Sequence, residues 1–155
     1  MKTLTANWFE CTVKYDKLDP ETGKWKKVTE KYVVDALTFT EAESRITEEL
    51  KTLAPTGEFE ISDISKAKYQ DVILAENDEN NTFHKVTIEF YSWNEKADKH
   101  QITRMSMLVE ASNLREALNN VDESLRGTLV DYLSVNAIST KIMDVFTYKP
   151  QDKKQ

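Results

Sequence analysis

Few side chains in this 155-residue chain have types and spacing that suggest chemistry. Carboxylates held close together split their pKa values, as general acid–base catalysis or cation binding requires. Three acidic pairs recur at near-constant separation: Asp35 with Glu110, Glu41 with Glu116, and Asp71 with Asp144. A pseudo-twofold arrangement would bring one such pair together. Each pair also has a plainer role. Glu41 and Glu116 sit where a helix-capping acid belongs. Asp35 and Glu110 end strands just before a helix N-terminus, which favours negative charge. Asp71 and Asp144 precede apolar residues and fit as turn acceptors.

Metal and nucleophile chemistry is weakly signalled. His84 and His100 lie on different predicted strands, without CxxC, HxxxH or HExxH spacing. His84 takes a position on a buried face and reads as structural. The single cysteine, Cys11, reads as a small core residue. There is no GxSxG motif and no Gly-rich phosphate loop. No cofactor and no metal site is expected.

Binding signals are aromatic and basic. Trp8 and Phe83 fall on the strand face opposite the predicted core, and Val33 and Leu108 point the same way. Apolar residues on the polar face imply that this face is covered. The cover could be the other half of the chain, which is favoured, a second subunit, a partner protein or a ligand. Trp25, Tyr91 and Trp93 lie in or beside two hairpin loops. Lys24, Trp25, Lys26 and Lys27 interleave an aromatic with three positive charges, a pattern able to stack on and neutralise single-stranded nucleic acid. The later half reads KHQI at that place, so this patch is not repeated.

Charge argues against a broad nucleic-acid surface. Net charge is −6; up to Asn77 there are 11 basic and 15 acidic residues, and 10 and 12 follow. Neither half is basic, and non-specific affinity for nucleic acid comes from phosphate neutralisation. No segment is long and apolar enough to span a membrane, and the N-terminus lacks the apolar run of a signal peptide. A lone cysteine excludes an intrachain disulfide, and a reducing cytoplasm is the expected location.

The elements that must position these residues recur. VVDALTFTEAESRI from Val33 returns as LVEASNLREALNNV from Leu108. The register of apolar classes holds at an offset of 75 and slips to 73 where KYQDVI from Lys68 meets KIMDVF from Lys141. Each copy opens with an alternating strand, FECTVKY from Phe9 or its counterpart from His84. After a turn, a second strand is predicted at Lys27–Ala36 and Ile102–Ala111. Thr38 with Glu41, and Asn113 with Glu116, start a helix. Phe39, Ala42, Ile46, Leu50 and Leu53 form its apolar stripe, matched by Leu114, Ala117, Val121 and Leu125. Strands follow at Glu58–Ile64 and Leu129–Ile138, then short extended pieces at Tyr69–Leu74 and Ile142–Tyr148.

The expected fold is therefore α+β. It is a tandem internal duplication of a β-β-α-β(β) unit, antiparallel hairpins with two helices packed on sheet, around one shared core. Residues 1–155 are expected to form one compact domain of two pseudo-repeats, 7–74 and 82–148, joined by the polar linker 75–81 and ending in a frayed tail, 149–155.

WFECTVKY at Trp8, KVTEKYVVDALTFTEAE at Lys27, GEF at Gly57 and IMDVF at Ile142 resemble the uncharacterised Bacteroidetes proteins grouped as domain-of-unknown-function family 4494. The similarity runs from Trp8 to about Tyr148 and is looser in the second copy. It implies a bacterial, gut-associated, cytoplasmic protein and carries over no activity or site residue.

The leading functional expectation is a non-catalytic binding or assembly module using the sheet face or hairpin tips. Its partner would be another protein or a second copy, with nucleic acid and membrane disfavoured. The first alternative is an enzyme or small-ligand protein with a carboxylate-lined site between the repeats. The second is single-stranded nucleic-acid binding through Lys24–Lys27.

Overall fold

A computed structural model describes residues 2–76 and 80–148. Residues 77–79 of the expected linker and the expected frayed tail, 149–155, lie outside the described residues. The chain is α+β, with nine strands and two helices among the described residues. In order these are β1 (Lys2–Thr5), β2 (Trp8–Leu18), β3 (Trp25–Asp35), α1 (Phe39–Leu53), β4 (Phe59–Lys66), β5 (Asp71–Leu74), β6 (Thr82–Asn94), β7 (Lys99–Ala111), α2 (Leu114–Ser124), β8 (Asp131–Ser139) and β9 (Ile142–Phe146).

Two compact units result, and their boundaries differ from the division at 75–81 expected from the repeat. One unit comprises Asn7–Ala67 and the chain from Ile142; the other comprises the chain up to Ala6 and Lys68–Lys141. The reason is strand pairing. β5 follows β4 in sequence but pairs parallel with β7, Val72 opposite Leu108. β9 follows β8 but pairs parallel with β3, Val145 opposite Val33. The first unit thus has a four-stranded sheet in the order β4-β2-β3-β9, and the second a five-stranded sheet in the order β1-β5-β7-β6-β8. β1, which sequence reading missed, completes the latter by pairing antiparallel with β5.

In the four-stranded unit, Phe9, Cys11, Val13 and Tyr15 of β2 alternate inward as expected for a half-buried strand, and Tyr32 and Val34 of β3 join them. Ala42, Ile46 and Leu50 of α1 close this core. The ends of the predicted stripe, Phe39 and Leu53, are exposed, although Phe39 still meets the Phe9 ring edge-on at 4.9 Å. In the five-stranded unit, Val86, Ile88, Met107 and Val109 pack under Ala117 and Val121 of α2.

The helix starts follow the capping signal. Thr38 Oγ1 accepts the Glu41 N–H at 3.1 Å, and Asn113 Oδ1 accepts the Glu116 N–H at 2.9 Å. The returning bonds go one residue further out than in a strict capping box: Glu41 accepts from the Leu37 N–H at 3.0 Å and Glu116 from the Ser112 N–H at 3.2 Å. These backbone donors hold both carboxyls below their ordinary range, joined by Arg45 at Glu41 and led at Glu116 by the Ser112 hydroxyl. The two long hairpins turn through left-handed residues, Gly23 at φ 68° and Asp98 at φ 51°.

Both sheets carry a bulge in the corresponding outer pair. Thr12 faces Asp63 while Val13 faces Ile61, leaving Ser62 extra in β4. Thr87 faces Asn136 while Ile88 faces Ser134, leaving Val135 extra in β8.

Candidate functional site

The candidate acids are occupied by structural bonds inside their own units. Asp35 ends β3, and Arg45 lies on α1 one turn beyond Glu41. The Arg45 guanidinium bridges the Asp35 and Glu41 carboxylates and lies 4.4 Å from the centroid of the Tyr148 ring. Asp35 Oδ1 also accepts the Tyr148 backbone N–H at 2.7 Å. One carboxylate thereby ties the start of α1 and the chain leaving β9 to the end of β3. Glu110 does the corresponding work at the end of β7. Its Oε1 accepts the Ala75 N–H at 2.8 Å, just after β5. Asn120, at the helix position matching Arg45, donates to the Glu110 carbonyl at 3.2 Å.

Asp71 accepts from the Thr5 hydroxyl and thereby joins β5 to β1. Asp144 is exposed and accepts the Val145 N–H at 2.8 Å. Among the described residues, no group of three or more His, Cys, Asp or Glu side chains is placed to hold a metal ion.

His84 is buried, as its place on the core face predicts, with both ring nitrogens engaged. Nε2 lies 3.0 Å from Thr82 Oγ1 and 3.1 Å from the Ala111 carbonyl, and Nδ1 lies 3.2 Å from Ser139 Oγ. The ring therefore bridges β6, β7 and β8. His100 is exposed and meets Trp93 edge-on at 5.1 Å. Cys11 is fully buried, and desolvation, reinforced by Glu10 and Asp63, pushes its thiol up to about 12, far from a reactive thiolate.

A polar network absent from the sequence reading occupies the rim of the four-stranded core. The hydroxyls of Tyr15 and Tyr32 both donate to Glu30. Burial first, then the bond to Glu30, pushes Tyr15 up to about 12; Tyr32 is raised further, by burial and the Glu30 charge. The matching positions in the other unit are Phe90, Met107 and Met105, so this network is particular to one half. Glu30 breaks the apolar alternation of β3, and that break was the available signal.

The residues predicted to bind divide sharply by exposure. Trp8, Val33, Phe83 and Leu108 are buried in the single chain, Trp8 to 1% exposure, so they offer no free surface. They belong to neither helix-covered core. The Trp8 indole N–H is buried with no hydrogen-bond partner among the described residues. Trp25 and Trp93, by contrast, are 54% and 53% exposed at the ends of their hairpins.

At the Lys24–Lys27 tip, Lys26 pairs with Asp19 at 3.4 Å, which offsets part of its charge. A hollow of ≈ 210 Å³ opens beside it, between Leu18, Pro20 and Val28.

The five-stranded sheet adds an apolar feature that sequence reading did not single out. Leu133, Val135 and Ile138 of β8 are all exposed, Leu133 to 54% and Ile138 to 47%. A second hollow of ≈ 370 Å³ runs along the same strand, lined by Leu118, Asp122, Tyr132, Leu133 and Ser134. The signal was present in DYLSVNAIS, which is apolar at both phases of its alternation.

No helix among the described residues is long and apolar enough to cross a membrane. No functionally curated protein matches the sequence. A family model described as a domain of unknown function matches residues 7–148, the span that carries both helices and eight of the nine strands. The chain therefore belongs to the domain-of-unknown-function family DUF4494.

Proposed function

We infer that the protein is a non-catalytic binding or assembly module, and that it presents apolar side chains at its hairpin ends and along the outer strand of the five-stranded sheet. The observation that carries this reading is the contrast in exposure. Trp25, Trp93, Leu133 and Ile138 stand open to solvent, while Asp35, Glu110 and Asp71 hold the fold together. Exposed aromatic anchors at hairpin ends suit protein recognition, because a tryptophan side chain offers a large contact area with only two torsions to fix. The two units also support an origin by internal duplication. Asp71 opposite Met107 and Asp144 opposite Tyr32 occupy the same register, and the two bulges match.

Affinity capture from the native cytoplasm, with mass spectrometry of protein and small-molecule co-purifiers, tests the module. A specific partner should be retained by the wild type and lost from a Trp25→Ala, Trp93→Ala variant. Equal recovery by both, or retention of nothing by either, overturns the reading. Single-stranded nucleic acid is the competing occupant of the Lys24–Lys27 tip. It would show itself as salt-sensitive retention abolished by a Lys26→Glu, Lys27→Glu change.

A further inference from the structure

We propose that β8 is a self-association edge, along which a second copy of this chain adds its own β8 antiparallel across a twofold axis. This rests on the binding-or-assembly reading and names its partner. An edge strand presents unpaired backbone N–H and C=O groups, and soluble proteins blunt such edges with charge, proline or short length. β4, the edge of the four-stranded sheet, carries Glu60, Asp63 and Lys66. The opposite edges are short: β1 has four residues including Lys2, and β9 has five with Asp144 in the middle. β8 is nine residues long, and after Asp131 it contains no charge and no proline.

Comparison of matched positions sharpens this. Both β4 and β8 carry the same bulge, so the bulge does not distinguish them. Leu133 faces Glu89 of β6, Ile138 faces Lys85, and the extra residue Val135 lies between them. At the corresponding places β4 has Glu60, Ser65 and Ser62. On the face away from the helix one edge is polar and the other is apolar, and Leu129 and Val130 just ahead of β8 are exposed too.

The geometry suits a second copy. A twofold axis perpendicular to the sheet keeps each side chain on its own face, so the two apolar strips become one and no like charges are opposed. The exposed parts of Leu129, Val130, Leu133, Val135 and Ile138 amount to roughly 500 Å² per copy. Pairing two copies would bury on the order of 1,000 Å², the lower limit for a specific interface, so a weak, concentration-dependent dimer is expected.

Sedimentation velocity on the full chain from roughly 1 to 100 μM tests this. The wild type should shift from monomer to dimer, and hydrogen exchange at β8 amides should slow as concentration rises. Leu133→Lys with Ile138→Lys should weaken dimerisation at least ~10-fold, with unchanged circular dichroism because both side chains are already exposed. Glu60→Lys with Ser65→Lys on β4 should leave it unchanged. A wild type that stays monomeric, or a dimer indifferent to the β8 change, overturns the proposal. Neither result touches the capture experiment with Trp25 and Trp93, so the two readings fail separately.

Discussion

Truncating Leu108 to alanine tests whether the face of the sheet away from α2 belongs to the interior. Leu108 lies on β7 between Lys85 of β6 and Val72 of β5, on the face opposite α2, and is fully buried. Replacing a fully buried leucine by alanine loses transfer free energy and leaves a cavity, together about 2–5 kcal/mol. In a chain of this size each kcal/mol moves the melting temperature by about 2–4 °C, so Leu108→Ala should melt roughly 6–12 °C lower for a mid-range loss of about 3 kcal/mol. Leu133→Ala is the matched control. Leu133 is 54% exposed, so the same chemical change there should cost less than about 1 kcal/mol. Urea denaturation followed by tryptophan fluorescence and by circular dichroism gives both numbers; coincident transitions license a two-state treatment. If Leu108→Ala lies within about 0.5 kcal/mol of the wild type, the behaviour of an exposed site, Leu108 is surface after all.

Asp35→Ala should destabilise by about 1–3 kcal/mol, since it strips a charge-assisted partner from Arg45 and the acceptor from the Tyr148 N–H; an unchanged denaturation midpoint would deny that carboxylate its pinning role. Cys11 should react with an aromatic disulfide reagent only as fast as the chain opens, because its thiol is buried and its pKa is pushed up to about 12; immediate stoichiometric reaction in native buffer would contradict this. Tyr15 has a folded pKa raised from 10.0 to about 12, so its contribution is fully present below pH 10 and is lost as pH rises toward 12. Tyr15→Phe should accordingly flatten the alkaline fall in stability seen by urea titration at stepped pH, and an unchanged slope would remove Tyr15 as its source.

Local features were legible because they depend on neighbours in sequence. Thr38 with Glu41 and Asn113 with Glu116 are spaced by the geometry of a first helical turn, whatever lies around them. The inward set Phe9, Cys11, Val13 and Tyr15 follows from a two-residue period. Mispositioned ends, such as β3 starting at Trp25 rather than Lys27, reflect cross-strand bonds to β2 that extend a strand past its apolar pattern. The candidate site was less legible. Trp25 and Trp93 are placed at hairpin ends by local turns. That Trp8, Val33, Phe83 and Leu108 need a cover was legible in the side chains themselves, but that they are buried within the single chain was not, and the occupation of Asp35 by Arg45 and Tyr148 depends on residues 10 and 113 positions away.

The sequence by itself determined the order of elements from β2 onward, the helix caps, and which side chains share a face; the pairing partner β5 makes β1 a strand. It also showed that both faces of the inner strands had to be covered, because Val33 and Leu108 cannot rest in water at that density of apolar neighbours. Tertiary structure alone decided where the short strands go. Alternation assigns a strand its faces but not its neighbour, and parallel pairing is closed over long loops by backbone bonds any residue can make. So β5 joins β7, β9 joins β3, and the two units divide the chain at places no composition change marks. Only the tertiary structure, too, left β8 as a long edge whose one charge is Asp131 at its start, since being an edge is a property of the sheet and not of the strand.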